Sequence, residues 1–269
     1  MIYKKELPLV SISMTTYNCK RFIGNAIDST LAQDYPNIEI VISDDASTDS
    51  TLTQVKKYVA KYPDKIRLLA SKKNKGAVEN WFKCVSACRG KYVIGLAGDD
   101  ELYPNAISKQ VAVMENDPEI AICYGDVAVF HVPSGKEIYR LSQKAPAKSG
   151  GVETALADSI YYSPTMMFLN KFVPKENSFK EIRHAADLAF YKEIMILSAP
   201  KGKIYYLPEI LYKYQKHDSN ITVTGFEYHK EHIESIKILQ AKYPKYSSHL
   251  NPSIYDFCCV AFFKNIAKF

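Results

Sequence analysis

No stretch of the 269 residues approaches the roughly 20 consecutive apolar positions that a membrane-crossing helix needs. The opening MIYKKELPLV also lacks the apolar core of roughly 7–15 residues and the small-residue cleavage site of a secretory leader, so a cytoplasmic location is expected. No CxxC pair and no His-rich tract accompanies the six cysteines, Cys19, Cys84, Cys88, Cys123, Cys258 and Cys259. A zinc site of that kind is thereby excluded, and the thiols read as reduced core residues. Charge of one sign is not in large excess either. The 35 Lys and Arg against 29 Asp and Glu leave +6, too diffuse for a nucleic-acid specialist but suited to anionic small molecules or an anionic membrane face. Internal repeats are absent. What remains is a composition of 47% hydrophobic and 24% charged residues, enough for a sizeable folded core.

The elements alternate. Val10 to Met14 reads as a short strand, followed by the polar TTYN and by a helix whose apolar face carries Ile23, Ala26, Ile27 and Leu31. Pro36 prevents its continuation. Residues 38–43, IEIVIS, form the near-continuous apolar run expected of a strand buried on both faces. After DDASTDS, where Ser47 or Asp49 is placed to cap, a second helix runs to about Tyr62, and IRLLA at 66–70 is a third strand. A third helix puts Ala77, Asn80, Trp81, Cys84, Val85 and Cys88 on one stripe, with Gly76 before it and Gly90 as its stop. YVIGLA then makes a fourth strand that ends in GDDE. This order is a βαβ series and predicts a parallel sheet with right-handed crossovers. Beyond it, a helix is expected over 104–116, strand over 120–132, a boundary loop at SQKAPAKSGG, a helix near 185–198, strands around 203–214 and a long helix from about Phe226 to Ala241.

In open parallel sheets, ligands bind beyond the carboxyl ends of the strands. Those ends deliver Thr15, Thr16, Tyr17 and Asn18, then Asp44 and Asp45, then the cationic SKKNKG, then Asp99, Asp100 and Glu101. An aromatic ring, polar groups, lysines and clustered carboxylates at one rim suit a nucleoside diphosphate with a hard divalent ion, because adjacent carboxylates repel unless they share a cation. From the residues alone a second reading stays open, in which the aspartates only cap the following helices and Lys72, Lys73 and Lys75 are only solvated.

TTYNCKRFIGNAIDSTLAQDYPNIEIVISDDASTDST, the NKG loop and YVIGLAGDDE together resemble the nucleotide-binding half of family 2 glycosyltransferases of the bacterial surface-polysaccharide type. The resemblance covers roughly residues 8 to 130, and in the second half only HAADLAFYKEI and YKYQKHDSNIT carry it. It implies a GT-A fold, Rossmann-like, with a mostly parallel central sheet, helices on both faces, a smaller acceptor-side region and C-terminal helices. On that reading residues 1–132 are the nucleotide-sugar half, 133–225 the acceptor half and 226–269 a C-terminal helical segment.

Carried over by position, the resemblance implies that Thr15 and Tyr17 line the nucleobase pocket, Asp45 accepts a hydrogen bond from the base, Asp99 lies near the ribose and Asp100 binds Mn²⁺ or Mg²⁺. Asp187 takes the place of the general base, and His217, with Lys216, belongs to a loop that contacts the donor. A carboxylate suits the base role because the acceptor hydroxyl must lose its proton as it attacks. Three positions depart from the family pattern: Ala97 and Ala186 stand where carboxylates are usual, and Gln215 stands where Arg is usual. The implied activity is inverting transfer from a nucleotide sugar, with UDP expected, to a hydroxyl of a saccharide or lipid-linked saccharide. Two rival readings are a sugar-nucleotide-binding module without turnover, which the three departures favour, and a sugar nucleotidyltransferase, which the TTYNCKRF loop disfavours because a glycine-rich loop is expected there. The aromatic FCCVAFFKNIAKF, residues 257–269, reads either as a helix packed on the domain or as a peripheral membrane contact on the cytoplasmic face.

Overall fold

The computed structural model describes residues 6–144, 146–157, 163–218, 220 and 226–250. Residues 257–269, with Cys258, Cys259 and the expected membrane contact, lie outside the described residues.

Strands β1 (Val10–Thr16) and β2 (Ile38–Asp44) are buried at nearly every position, which is why they read as unbroken apolar runs rather than as alternating ones. Ile12, Met14, Ile40 and Ile42 are fully buried, and each such side chain contributes about 1.5–3 kcal/mol relative to exposure. Helix α1 (Ile23–Leu31) crosses from β1 to β2, α2 (Thr51–Lys61) from β2 to β3 (Ile66–Ala70), and α3 (Ala77–Ser86) from β3 to β4 (Tyr92–Ala97). The strands pair in parallel in the order β3–β2–β1–β4. Right-handed crossovers therefore set α1 and α2 on one face and α3 on the other. The N-cap of α2 is Ser50 and not Ser47 or Asp49; Asp49, one residue earlier, accepts from the N–H and hydroxyl of Thr51, while the Ser47 hydroxyl donates to Asp44.

Gly90 has a different job from the one its position suggests. Helix α3 ends at Ser86, four residues earlier, and a Cβ on Gly90 would lie 2.7 Å from the Leu9 carbonyl oxygen and the Ser11 nitrogen. Close passage of the chain beside β1, not helix termination, requires the glycine. In the same corner Ser11 Oγ and the Arg89 backbone N–H both donate to Glu39 Oε1, at 2.6 and 2.7 Å, and Arg89 Nε donates to Oε2 at 2.9 Å. Burial acts to raise the Glu39 carboxyl, but these hydrogen bonds and the Arg89 charge outweigh it and hold the group below its ordinary range.

The sheet continues past the parallel half. Short β5 (Glu101–Leu102) and α4 (Ala106–Asn116) lead to the long β6 (Ile120–His131), which turns back through β7 (Lys136–Arg140). The expected boundary loop at 142–151 holds a 3-10 turn, Leu141–Gln143, and a two-residue strand, β8 (Gly150–Gly151). After α5 (Val152–Ala157), β9 (Met167–Leu169) inserts antiparallel between β4 and β6. Helix α6 (Asp187–Leu197) is buried almost all round, and Trp81 of α3 packs edge-on against its Phe190 and Tyr191. The strands expected around 203–214 are one, β10 (Lys203–Lys216), parallel to β6, and α7 (Phe226–Lys242) follows. The full order is β3–β2–β1–β4–β9–β6–β10–β5, with β7 on β6 and β8 on β10. Parallel ladders are the long ones, and antiparallel pairing is confined to short β5, β7, β8 and β9.

Candidate functional site

The carboxyl ends of β1, β2 and β4 meet at one rim. Thr15 pairs in register with Ser43 on one side and Ala97 on the other. Just beyond the ladder, the Asp45 N–H donates to the Thr16 carbonyl and the Gly98 N–H to the Thr15 carbonyl. Thr15, Asp45 and Asp99 are thus brought to a common edge, and Tyr17, 46% exposed, follows β1 directly.

Asp45 is itself nearly buried, and its carboxylate accepts from the backbone N–H groups of Lys75 at 3.0 Å and Gly76 at 2.9 Å. The expected base-binding residue therefore also fixes the β3–α3 loop. Gly76 has φ +95°, a value that favours glycine, and a Cβ there would come within 2.7 Å of Arg183 Cγ. Of the lysines in this loop, Lys75 sits 3.7 Å from Glu79 across one exposed helical turn.

The acidic pair at the end of β4 divides. Asp100 is buried: its Oδ1 accepts from the Gln215 backbone N–H at 2.8 Å and its Oδ2 from the Tyr212 hydroxyl at 3.0 Å. Burial, reinforced by the Asp99 charge, pushes the Asp100 carboxyl well above the carboxylate range despite those two donors. Both oxygens of Asp100, the metal ligand implied by the resemblance, are thus engaged by donors on β10. Asp99 has the freer side chain. Its Oδ2 lies 3.2 Å from His217 Nε2 and 3.3 Å from Asn220 Nδ2, and its backbone carbonyl accepts from the Gln215 amide at 2.6 Å.

His217 is brought there because β10 runs parallel to β6 and so ends at the same rim. Its ring stacks on Phe22, with centroids 4.6 Å apart. Beside it opens a cleft of about 310 Å³ lined by Asn18, Lys20, Arg21, Phe22, Val132, Pro133, His217 and Asp218. Lys216 pairs in register with His131, and burial lowers its ammonium. Tyr212, Gln215, Asn220 and Phe22 were not singled out from the sequence as site-forming. Only Gln215 carried a signal, as a departure from the family pattern.

Asp187 opens α6. His232 of α7 faces it, with Nε2 3.8 Å from Oδ1. The turn before it docks on the nucleotide side: the Arg183 carbonyl accepts from the Val78 N–H at 3.2 Å, and Arg183 Nη2 donates to Asn74 Oδ1. Asp45, Gly76 and Arg183 therefore form a continuous chain of contacts leading toward Asp187.

Among the described residues no group of three His, Cys, Asp or Glu side chains converges as an all-protein metal cage would need. Asp99 and His217 do converge. One carboxylate and one imidazole fit a hard divalent ion that takes its other ligands from phosphate and water, as such ions commonly do. Among the described residues no helix is long and apolar enough to cross a membrane.

A parallel β3–β2–β1–β4 core, extended through β9, β6 and β10 and with an acidic pair following β4, is an architecture of the GT-A type. Residues 11–178 match the profile of Glycosyl transferase family 2, and the chain belongs to that family. It is 39% identical over 123 residues to EpsE of Bacillus subtilis, covering 46% of this chain and 44% of EpsE. Its fold is similar to that of Staphylococcus aureus TarS 1-349 in complex with UDP-GlcNAc (TM-score 0.62, 18% identity, 86% of this chain and 66% of that one). It is also similar to the mannosyltransferase PcManGT of Pyrobaculum calidifontis in complex with GDP-Man and Mn²⁺ (TM-score 0.66, 15% identity, 98% and 75%). The chain spans 44% to 60% of the length of the first curated relatives it matches.

Proposed function

We propose that this chain transfers a sugar from a nucleotide-sugar donor, UDP-linked, to a hydroxyl of a saccharide or lipid-linked saccharide, with inversion at the anomeric carbon. The observation that carries the proposal is the convergence of Asp99 and His217 on the rim where Thr15, Tyr17 and Asp45 stand. Tyr17 offers an exposed face for stacking the nucleobase, Asp45 accepts from its N–H while holding the β3–α3 loop, and Asp99 with His217 holds Mn²⁺ or Mg²⁺. When bound, that ion offsets the charge of the departing diphosphate. The metal is assigned to Asp99 rather than to Asp100 because both Asp100 oxygens already accept from Tyr212 and Gln215.

Asp187 takes the proton of the acceptor hydroxyl as its oxygen forms the new bond to the anomeric carbon and the bond to the diphosphate oxygen breaks. The nucleoside diphosphate leaves with that electron pair. Such a base contributes roughly 10²–10⁴ in rate. The test is a panel of UDP- and GDP-sugars scored for released nucleotide, with Mn²⁺ and with chelator, on wild-type protein and Asp187→Asn. Wild-type turnover that needs the metal, together with an inactive variant that still binds UDP, is the expected result. Loss of UDP binding in the variant would make Asp187 structural, and nucleotide binding without any turnover would favour a binding module.

A further inference from the structure

Helix α7 reaches the site from far along the chain and does two things there. Glu231 accepts from three consecutive backbone N–H groups: Oε1 from Arg183 at 3.3 Å, and Oε2 from His184 at 2.7 Å and Ala185 at 3.0 Å. The next residue, His232, is 3% exposed and faces Asp187 Oδ1 at 3.8 Å. Glu231 thus closes on residues 183–185, and Ala186, which replaces the carboxylate usual in the resemblance, is the one residue between that held segment and Asp187.

The clamp has a firm base. At the other end of α7, Lys242 Nζ and the Tyr243 hydroxyl donate to Glu193 Oε1 of α6, at 2.7 and 2.8 Å, and Ser178 Oγ donates to the same oxygen at 2.8 Å. Helices α6 and α7 are braced together at this point and again at the turn, so a displacement of the turn has to stretch Glu231's bonds.

We propose that Glu231 is a positioning residue for the reaction, setting the location of the Asp187 carboxylate through the backbone of Arg183–Ala185. The inference rests on the transferase reading above, since it presumes that Asp187 is the base. Its chemistry is simple: a misplacement of the order of 1 Å in a reacting group costs about 10²-fold in rate while leaving remote binding contacts in place.

The experiment compares Glu231→Gln and Glu231→Ala with wild type in metal-supplemented transfer assays, with UDP binding measured by calorimetry. Amide hydrogen exchange of residues 183–185 is followed in parallel. Expected are a kcat lower by about 10- to 100-fold, a donor KM and UDP affinity within about twofold of wild type, and exchange at 183–185 faster by about tenfold or more. A purely structural contribution would instead lower Tm and weaken donor binding along with kcat. If Glu231→Ala does not fold, Glu231→Gln, which keeps the shape and removes the charge, carries the comparison. Variants with unaltered kcat, or with unchanged exchange at 183–185, would overturn the role of Glu231. Absence of nucleotide release by the wild-type protein itself would overturn the transferase reading, and this role with it.

Discussion

Replacing Tyr212 by Phe removes one oxygen from the junction between β4 and β10 and nothing else. That oxygen donates to Asp100 Oδ2 at 3.0 Å and accepts from the Ala97 N–H at 3.2 Å, and Tyr212 is 1% exposed. The phenyl ring keeps its packing, so the cost is that of two buried polar atoms left one partner short, about 1–3 kcal/mol each. A total near 3 kcal/mol, over 269 residues with an unfolding entropy of roughly 2.1 cal/mol/K per residue, lowers Tm by about 5 °C. The loosened end of β10 also carries His217 away from Asp99, so metal-dependent UDP affinity falls several-fold. Differential scanning fluorimetry with and without UDP and Mn²⁺ reads both effects. Tyr58→Phe is the control, since its hydroxyl bonds Asp28 at 3.0 Å near the surface, and it shifts Tm by about 1 °C or less. A drop for Tyr212→Phe no larger than that of the control would refute the view of Asp100 as a strut held from β10.

Glu39→Gln tests the amino-terminal end of β2. Because the folded-state carboxyl is held below its ordinary value, its stabilisation is present above the unfolded pKa and lost as pH falls through the folded one. The variant is expected to be less stable by about 2 kcal/mol at pH 7, with the gap to wild type closing below about pH 4 in urea titrations; a gap that persists in acid would contradict this. Gly76→Ala forces a Cβ against Arg183 at φ +95°. It should cost about 1–3 kcal/mol and weaken UDP binding by moving the loop that Asp45 holds. An unchanged Tm and an unchanged UDP titration would count against that coupling.

The first four strands and the helices between them were legible because each is long enough for its period to be read and is bounded by Pro, Gly or a capping residue. The rim residues followed from topology alone, since parallel strands deliver their carboxyl ends to one side. Strand β9 escaped because three residues, Met167–Leu169, have no readable period, and its antiparallel insertion is fixed by pairing with β4 and β6. The roles of Asp99 and Asp100 were not separable from GDD. Both lie in the turn after β4, and which one is drawn inward depends on Tyr212 and Gln215, distant in sequence. Gly90 was misread for a related reason: its demand comes from the neighbouring Leu9 and Ser11 backbone, invisible to any local pattern.

Asp99 and His217 stand 118 positions apart along the chain. During synthesis β1 to β4 emerge, and can pair, before β10 exists. Closure of the long intervening stretch is an entropic cost that falls on the last strand to dock. Assembly is therefore expected to be staged: a nascent chain with β1 to β4 in place carries Thr15, Asp45 and Asp99 at one edge, and His217 joins them only when β10 pairs with β6.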